Sequence, residues 1–175
     1  MDMFDRIMHR RSVRQYTEEK IADDVLDQIL YAGLAAASSK NRRPWEFVVV
    51  RDKDMLNKLG ECRPSAGNLL GRCDTAIVIA ADSELVDVWV EDCASAMTQM
   101  HLMADALGVG SCWLQVRLRT APDGLRETQA VIRELLGIPV KYSIMAILTL
   151  GMPAAHPGTR TVNDLLLEKI HRERF

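Results

Sequence analysis

The sequence predicts an α+β fold in which a mixed sheet is covered on both faces by helices. Three observations predict it. Stretches of helical period alternate with short, almost wholly apolar runs, the pattern of strands buried on both faces. Helical stretches separate those runs, so few hairpins can form. One long helix, residues 86–107, is apolar nearly all round and so belongs at the centre of a domain or at a subunit interface.

The elements follow in chain order. Residues 3–9 read as a short helix. Asp23 caps a second, with Val25, Leu26, Ile29, Leu30 and Leu34 on one stripe. Small residues 35–39 lead into the polar loop Lys40-Asn41-Arg42-Arg43-Pro44, where the proline ends any preceding helix. Trp45 opens a strand over 45–51 that contains three valines. Asp52 caps a helix carrying Met55, Leu56 and Leu59, and residues 64–72 read as a loop with two glycines. Residues 75–81 form a second, fully apolar strand. The long helix ends at Gly108, and 111–116 make a third strand. Asp123 or Thr128 opens a helix that Gly137 closes before Pro139. Residues 142–151 are the fourth strand, and Asn163 caps a last helix over 164–172.

Composition sets the outer bounds. The 175 residues are 48% hydrophobic and 26% charged, enough for one domain with a real core. A formal net charge of -2 gives no general attraction to nucleic acid or to an anionic membrane. No apolar run is long enough to span a bilayer, and the Met1 end is polar, without a secretory core. Cys62, Cys73, Cys93 and Cys112 form no CxxC pair and have no histidine at metal spacing. They read as small buried hydrophobes, with thiols reduced in a cytoplasmic compartment.

Four short constellations carry chemistry. Arg10-Arg11-Ser12-Val13-Arg14 ends the first helix, and its guanidinium forks and hydroxyl match a phosphate; read alone, it also fits a solvated basic helix end. Asn41, in the loop before the first strand, offers a donor and an acceptor, as an ordinary turn asparagine also does. Trp45 reads as core rather than as a stacking partner. Gly108 and Gly110 sit between a helix and a strand and allow close backbone approach to a flat ligand, but lack the third glycine of a dinucleotide fingerprint. Gly151-Met152-Pro153 is followed by Arg160, which alone reads as a surface arginine.

Taken together, in order and spacing, these segments resemble the nitroreductase-like flavoproteins: RRSxR near the start, Ser-x-x-Asn-x-x-Pro-Trp before the first strand, LGxGSCW after the long helix, then Gly-x-Pro and a later arginine. The likeness runs from about Phe4 to Arg160. It implies a three-layer α/β/α domain over residues 1–175, with a central mixed sheet of four to five strands, in an intertwined homodimer that holds FMN between its subunits. In that resemblance Arg10, Arg11 and Ser12 match the phosphate-holding segment, and Arg160 the arginine that reaches it from the C-terminal side. Arg14 matches the basic residue beside the flavin N1/O2 edge. Ser38, Ser39 and Asn41 match a loop brought in by the other subunit. Leu114, Gln115 and Val116 lie where the family passes backbone near flavin N5, and Gly110 matches the glycine before that strand. Arg43 departs from the family's usual glutamine, and Ala37 from its usual proline.

The implied activity is NAD(P)H oxidation, with hydride passed through flavin N5 to a small organic acceptor such as a nitroaromatic or quinone, in ping-pong order. The flavin carries the redox chemistry, so no catalytic dyad and no metal are expected. His9, His101, His156 and His171 are scattered along the chain and read as structural. Alternatives are a flavin carrier without reductase activity, other flavin chemistry such as desaturation or reductive dehalogenation, and a regulator that uses the arginines for another nucleotide's phosphate. The chain leaves little room for the long lid of the deiodinase-like relatives. Acceptor selectivity is expected in the loops around residues 62–72 and 117–125.

Overall fold

The structure, a computed structural model, describes residues 2–63 and 67–175. Its helices are α1 (Met3–His9), α2 (Asp23–Leu34), α3 (Lys53–Glu61), α4 (Gly67–Leu70), α5 (Trp89–Ala106) and α6 (Thr128–Leu136). Its strands are β1 (Trp45–Val50), β2 (Thr75–Asp82), β3 (Gly110–Gln115) and β4 (Tyr142–Gly151), in the sheet order β1-β2-β4-β3.

Every strand pair is antiparallel, which corrects the expectation of a mixed sheet. The reason is the place of β4. Strands β2 and β3 run parallel, as the intervening helix α5 suggests, but β4 lies between them and opposes both. One isolated parallel bridge, Ser12 to Ser111, adds the N-terminal segment to β3.

The period-2 alternation of β2 builds the three layers. Ile77, Ile79 and Ala81 face one core, with Leu26 and Ile29 of α2 and Ala96, Met97 and Met100 of α5. Ala76, Val78 and Ala80 face the other, with Leu56 and Leu59 of α3, Leu70 of α4 and Ile132 of α6. A bulge on β4 at Met145, opposite the Ile79–Ala80 step, interrupts the register. The Met145 carbonyl then accepts from Val116 N at 3.2 Å and Arg117 N at 2.9 Å, which fixes where β3 ends.

Several boundaries shift for local reasons. Asp52 caps α3 as expected, accepting from Met55 N at 2.8 Å. Helix α2 starts after Ala22, with Asp23 and Asp24 inside its first turn rather than at its cap. Helix α5 begins at Trp89. Residues 67–70 of the loop expected over 64–72 form α4, while residues 64–66 lie outside the described residues. The helix expected over 164–172 is absent. Two short 3-10 turns stand there, Val162–Asp164 and Leu167–Lys169, and Asp164, not Asn163, makes the capping contact with Thr161. Three consecutive leucines, Leu165 to Leu167, give no single apolar face, and all three are exposed, so no core supports a short helix.

Gly151 and Gly110 pair across β4 and β3, and Tyr16 packs on Gly151. A Cβ on Gly151 would lie 2.6 Å from Tyr16 Cγ. The Tyr16 hydroxyl donates to Val13 O at 2.9 Å, so this contact seats the segment that carries the arginines. We expect Gly151→Ala to lower unfolding free energy by about 1–3 kcal/mol through overpacking. A denaturant midpoint equal to that of the parent would contradict it.

Candidate active site

The arginines are brought together by backbone ties between the two ends of the chain. Helix α1 ends with Arg10 N donating to Arg6 O at 2.9 Å, and the chain then runs extended along β3, with Val13 N donating to Ser111 O at 2.9 Å. The segment after β4 folds back on this stretch. Thr17 N donates to Met152 O at 2.8 Å, Ala154 N to Gln15 O at 2.9 Å and Arg160 N to Met8 O at 3.0 Å. Arg11 closes the turn by donating to Gly158 O at 2.8 Å.

Arg10, Arg11, Ser12, Arg14, Pro157 and Arg160 therefore line one cavity of about 250 Å³. No carboxylate lines it. Burial, and then the Arg160 charge, pull the pKa of Arg10 below the ordinary arginine value. Arg10 is thus held partly out of water beside a second cation, and the shared cavity favours a multiply charged anion. Arg14 lines this cavity too, and lies 3.4 Å from Ser12 O.

The other expected residues lie apart. Gly110 borders a neighbouring cavity of about 180 Å³, shared with Arg11, His9, Asp105 and His156. Leu114 and Gln115 continue β3 beyond it, and Val116 follows; none of the three lines either cavity. Gln115 is held on both sides, accepting from Trp113 Nε1 at 2.9 Å and donating to Arg117 O at 3.0 Å. Ser38, Ser39 and Asn41 do not reach the arginine cavity within one chain.

That loop is strained and internally tied. Lys40, Asn41 and Arg43 have φ of 51°, 55° and 48°, unusual for residues with side chains. Arg43 fills a definite place: its backbone N donates to Ser38 Oγ at 3.0 Å and its Nε to Asn41 Oδ1 at 2.8 Å. Ser39 N donates to Oδ1 of the buried Asp92 on α5 at 2.8 Å. Trp45 is buried in the α2–α5 core, as expected.

Sequence reasoning missed what lies behind the arginines. His101 on α5 is buried, with Nδ1 2.8 Å from Ser111 Oγ. Burial, and then the Arg10 charge, lower its pKa to about 4. His9 and His156, far apart in sequence and read as scattered, stack with ring centroids 4.2 Å apart beside Asp105. No spacing rule connects residues so distant in sequence. The four cysteines are buried and unpaired, and burial pushes the Cys73 and Cys93 thiols up to about 12. Cys62 and residues Ala121 to Asp123, from the two loops expected to govern acceptor choice, share a cavity of about 520 Å³ away from the arginines. Among the described residues, no helix is long and apolar enough to cross a membrane.

The pattern of the Nitroreductase family matches residues 7–63 and 63–152. The chain belongs to this family. A solved structure, an FMN-dependent nitroreductase from Clostridium difficile, is 41% identical, with a TM-score of 0.95 over 99% of this chain and all of that one. A relative from Archaeoglobus fulgidus, provisionally named NADH dehydrogenase/NAD(P)H nitroreductase, is 37% identical over 97% of this chain and 96% of its own. The iodotyrosine deiodinase of Haliscomenobacter hydrossis is 25% identical over 95% of this chain and 72% of its own.

Buried neutral His101 makes this nitroreductase-family chain acid-sensitive in a definite window. The unfolded chain binds the His101 proton near pH 6.5 and the folded one only near 4. This contribution to stability is present above the first value and is lost as pH falls toward the second. Chemical denaturation from pH 7 to 4 should show that slope, reduced in His101→Gln; an equal slope in both proteins would contradict it.

Proposed function

We propose that this chain is an FMN-dependent NAD(P)H oxidoreductase of the nitroreductase type. One observation carries the reading: Arg10, Arg11, Ser12, Arg14 and Arg160, from opposite ends of the chain, converge on one cavity. A flavin mononucleotide's phosphate carries about two negative charges and three acceptor oxygens, which fits a cavity lined by guanidiniums and a hydroxyl with no carboxylate among its lining residues. The names of the Clostridium and Archaeoglobus relatives support the same cofactor and electron donors.

In this reading Arg10, Arg11, Ser12 and Arg160 hold the phosphate, and Gly110 allows the cofactor close to the backbone. From Ser111 to Gln115 is four strand steps, roughly 13 Å, a length that supports the reading in which Leu114, Gln115 and Val116 would meet the ring. The chemistry supplied by bound FMN is hydride transfer through N5, from NADH or NADPH to a small organic acceptor in ping-pong order. Arg14 stands at the border of the arginine cavity, and its guanidinium would favour negative charge at the N1/O2 edge of a ring lying beyond it. The bonds to Gln115 fix its side chain and keep its polar groups satisfied.

Ser38, Ser39 and Asn41 complete the site from a second copy of the chain, an intertwined homodimer. Two surfaces support this. The outer side of α1 exposes Met3, Phe4 and Ile7, and the segment after Ala154 exposes Val162, Leu166, Leu167 and Ile170. The long helix is not one of them, because α5 buries its apolar stripe in this chain's own core. Light scattering at micromolar concentration should give twice the mass of the chain, and a monomer would defeat the shared site.

The deiodinase likeness favours one second reading, reductive removal of a substituent. The deciding experiment mixes FMN-loaded protein anaerobically with NADH or NADPH, then with a nitroaromatic, a quinone or iodotyrosine. Rapid bleaching and reoxidation by the first two acceptors are expected. A flavin that stays yellow indicates a carrier, and reoxidation by iodotyrosine alone indicates the second reading. Arg160→Ala should weaken FMN binding about 10- to 100-fold, since a charge-assisted hydrogen bond contributes about 1.5–3 kcal/mol. Unchanged affinity would remove Arg160 from the site.

A further inference from the structure

We infer that His9, Asp105 and His156 form a site for a divalent transition-metal ion of the zinc class. The three come from separate elements: the end of α1, the last turn of α5 and the segment after β4. One ligand atom from each lies within 4.8 Å of the others. His9 Nδ1 is 2.9 Å from Asp105 Oδ1, and His156 Nε2 is 4.0 Å from the same oxygen. Ligands bound about 2.0–2.1 Å from a tetrahedral zinc stand about 3.4 Å apart, so the two distances bracket the required edge. The third edge, between His9 and His156, lies within 4.8 Å, and closing the site requires the two stacked rings to tilt apart so that both nitrogens face the ion.

The donor set is two imidazoles and one carboxylate, which suits zinc and its neighbours better than calcium or magnesium. The Asp105 side chain is only 8% exposed, so its charge is held in place where a cation gains from it. The cavity of about 180 Å³ beside the three residues leaves room for a fourth, non-protein ligand. His156 Nδ1 lies 3.2 Å from Gly158 N, which aims Nε2 at Asp105. Coordination through Nε2 moves the ring proton to Nδ1, and that contact must give way. Gly158, at φ +87°, is the residue type best able to turn.

The consequence is a clamp. His156 lies four residues before Arg160, on a stretch whose other ties to the body are few hydrogen bonds. An ion shared with α1 and α5 fixes that stretch and with it the position of Arg160. The inference does not rest on the flavin reading, because none of the three ligands lines the arginine cavity.

The test uses chelator-treated full-length protein without flavin. Calorimetric titration with zinc chloride should show one ion bound per chain, and cobalt(II) should give the visible absorption of a tetrahedral N/O site. His156→Ala should weaken binding by at least about tenfold, since even partners outside the ligand set are worth that much. His171→Ala should leave it unchanged. Zinc should also slow proteolytic cleavage after residue 156 in the parent chain but not in His156→Ala. The inference is overturned if neither ion binds at micromolar concentration, if cobalt gives only the weak spectrum of the hydrated ion, or if His156→Ala binds zinc as the parent does.

Discussion

The arrangement depends on mutual repulsion held in check. Like charges a few ångströms apart near a protein surface cost on the order of a few kcal/mol per pair. Arg10, Arg11, Arg14 and Arg160 nevertheless share one cavity. Backbone hydrogen bonds hold them there, interlacing residues 8–17 with residues 152–160. Such a concentration of charge without a lining carboxylate is what the proposed phosphate site requires. The packing of Tyr16 on Gly151 and the bridge from Ser12 to Ser111 both serve that convergence.

The sheet carries the same constraint outward. Because β4 separates β2 from β3, the strand that faces the N-terminal segment is an edge strand with an open side. Ser12 uses part of that side, and the bulge at Met145 ends it at Gln115. What remains between them is a short length of strand, from Cys112 to Gln115. Asp92 and Arg43 hold the 38–43 loop in a strained conformation from different sides. The site is thus assembled from loop segments that hydrogen bonds tie to one another and to the body of the fold.

Much of this was legible in the sequence. Every strand lies within a residue or so of its expected place, because these runs are too short for a buried helix and are bounded by turn signals. The direction of the sheet was not legible: two strands joined by a helix look parallel whether or not a third strand lies between them. The last helix failed because Leu165, Leu166 and Leu167 carry apolar content without helical period. That Arg10, Arg11, Arg14 and Arg160 belong together was legible only through motif order, since each motif alone fits a plain surface. His101, Asp92 and the His9–Asp105–His156 group gave no signal, since their roles arise from contacts across the fold.

The central claim, that arginines from both ends of the chain hold one dianionic phosphate, is tested most directly by ³¹P resonance of FMN bound to the protein, followed from pH 8 to pH 5. A free phosphate monoester takes up its second proton near about pH 6. Held by this cluster it should stay dianionic, with a nearly constant shift across the range. A bound signal that titrates like free FMN would contradict the account.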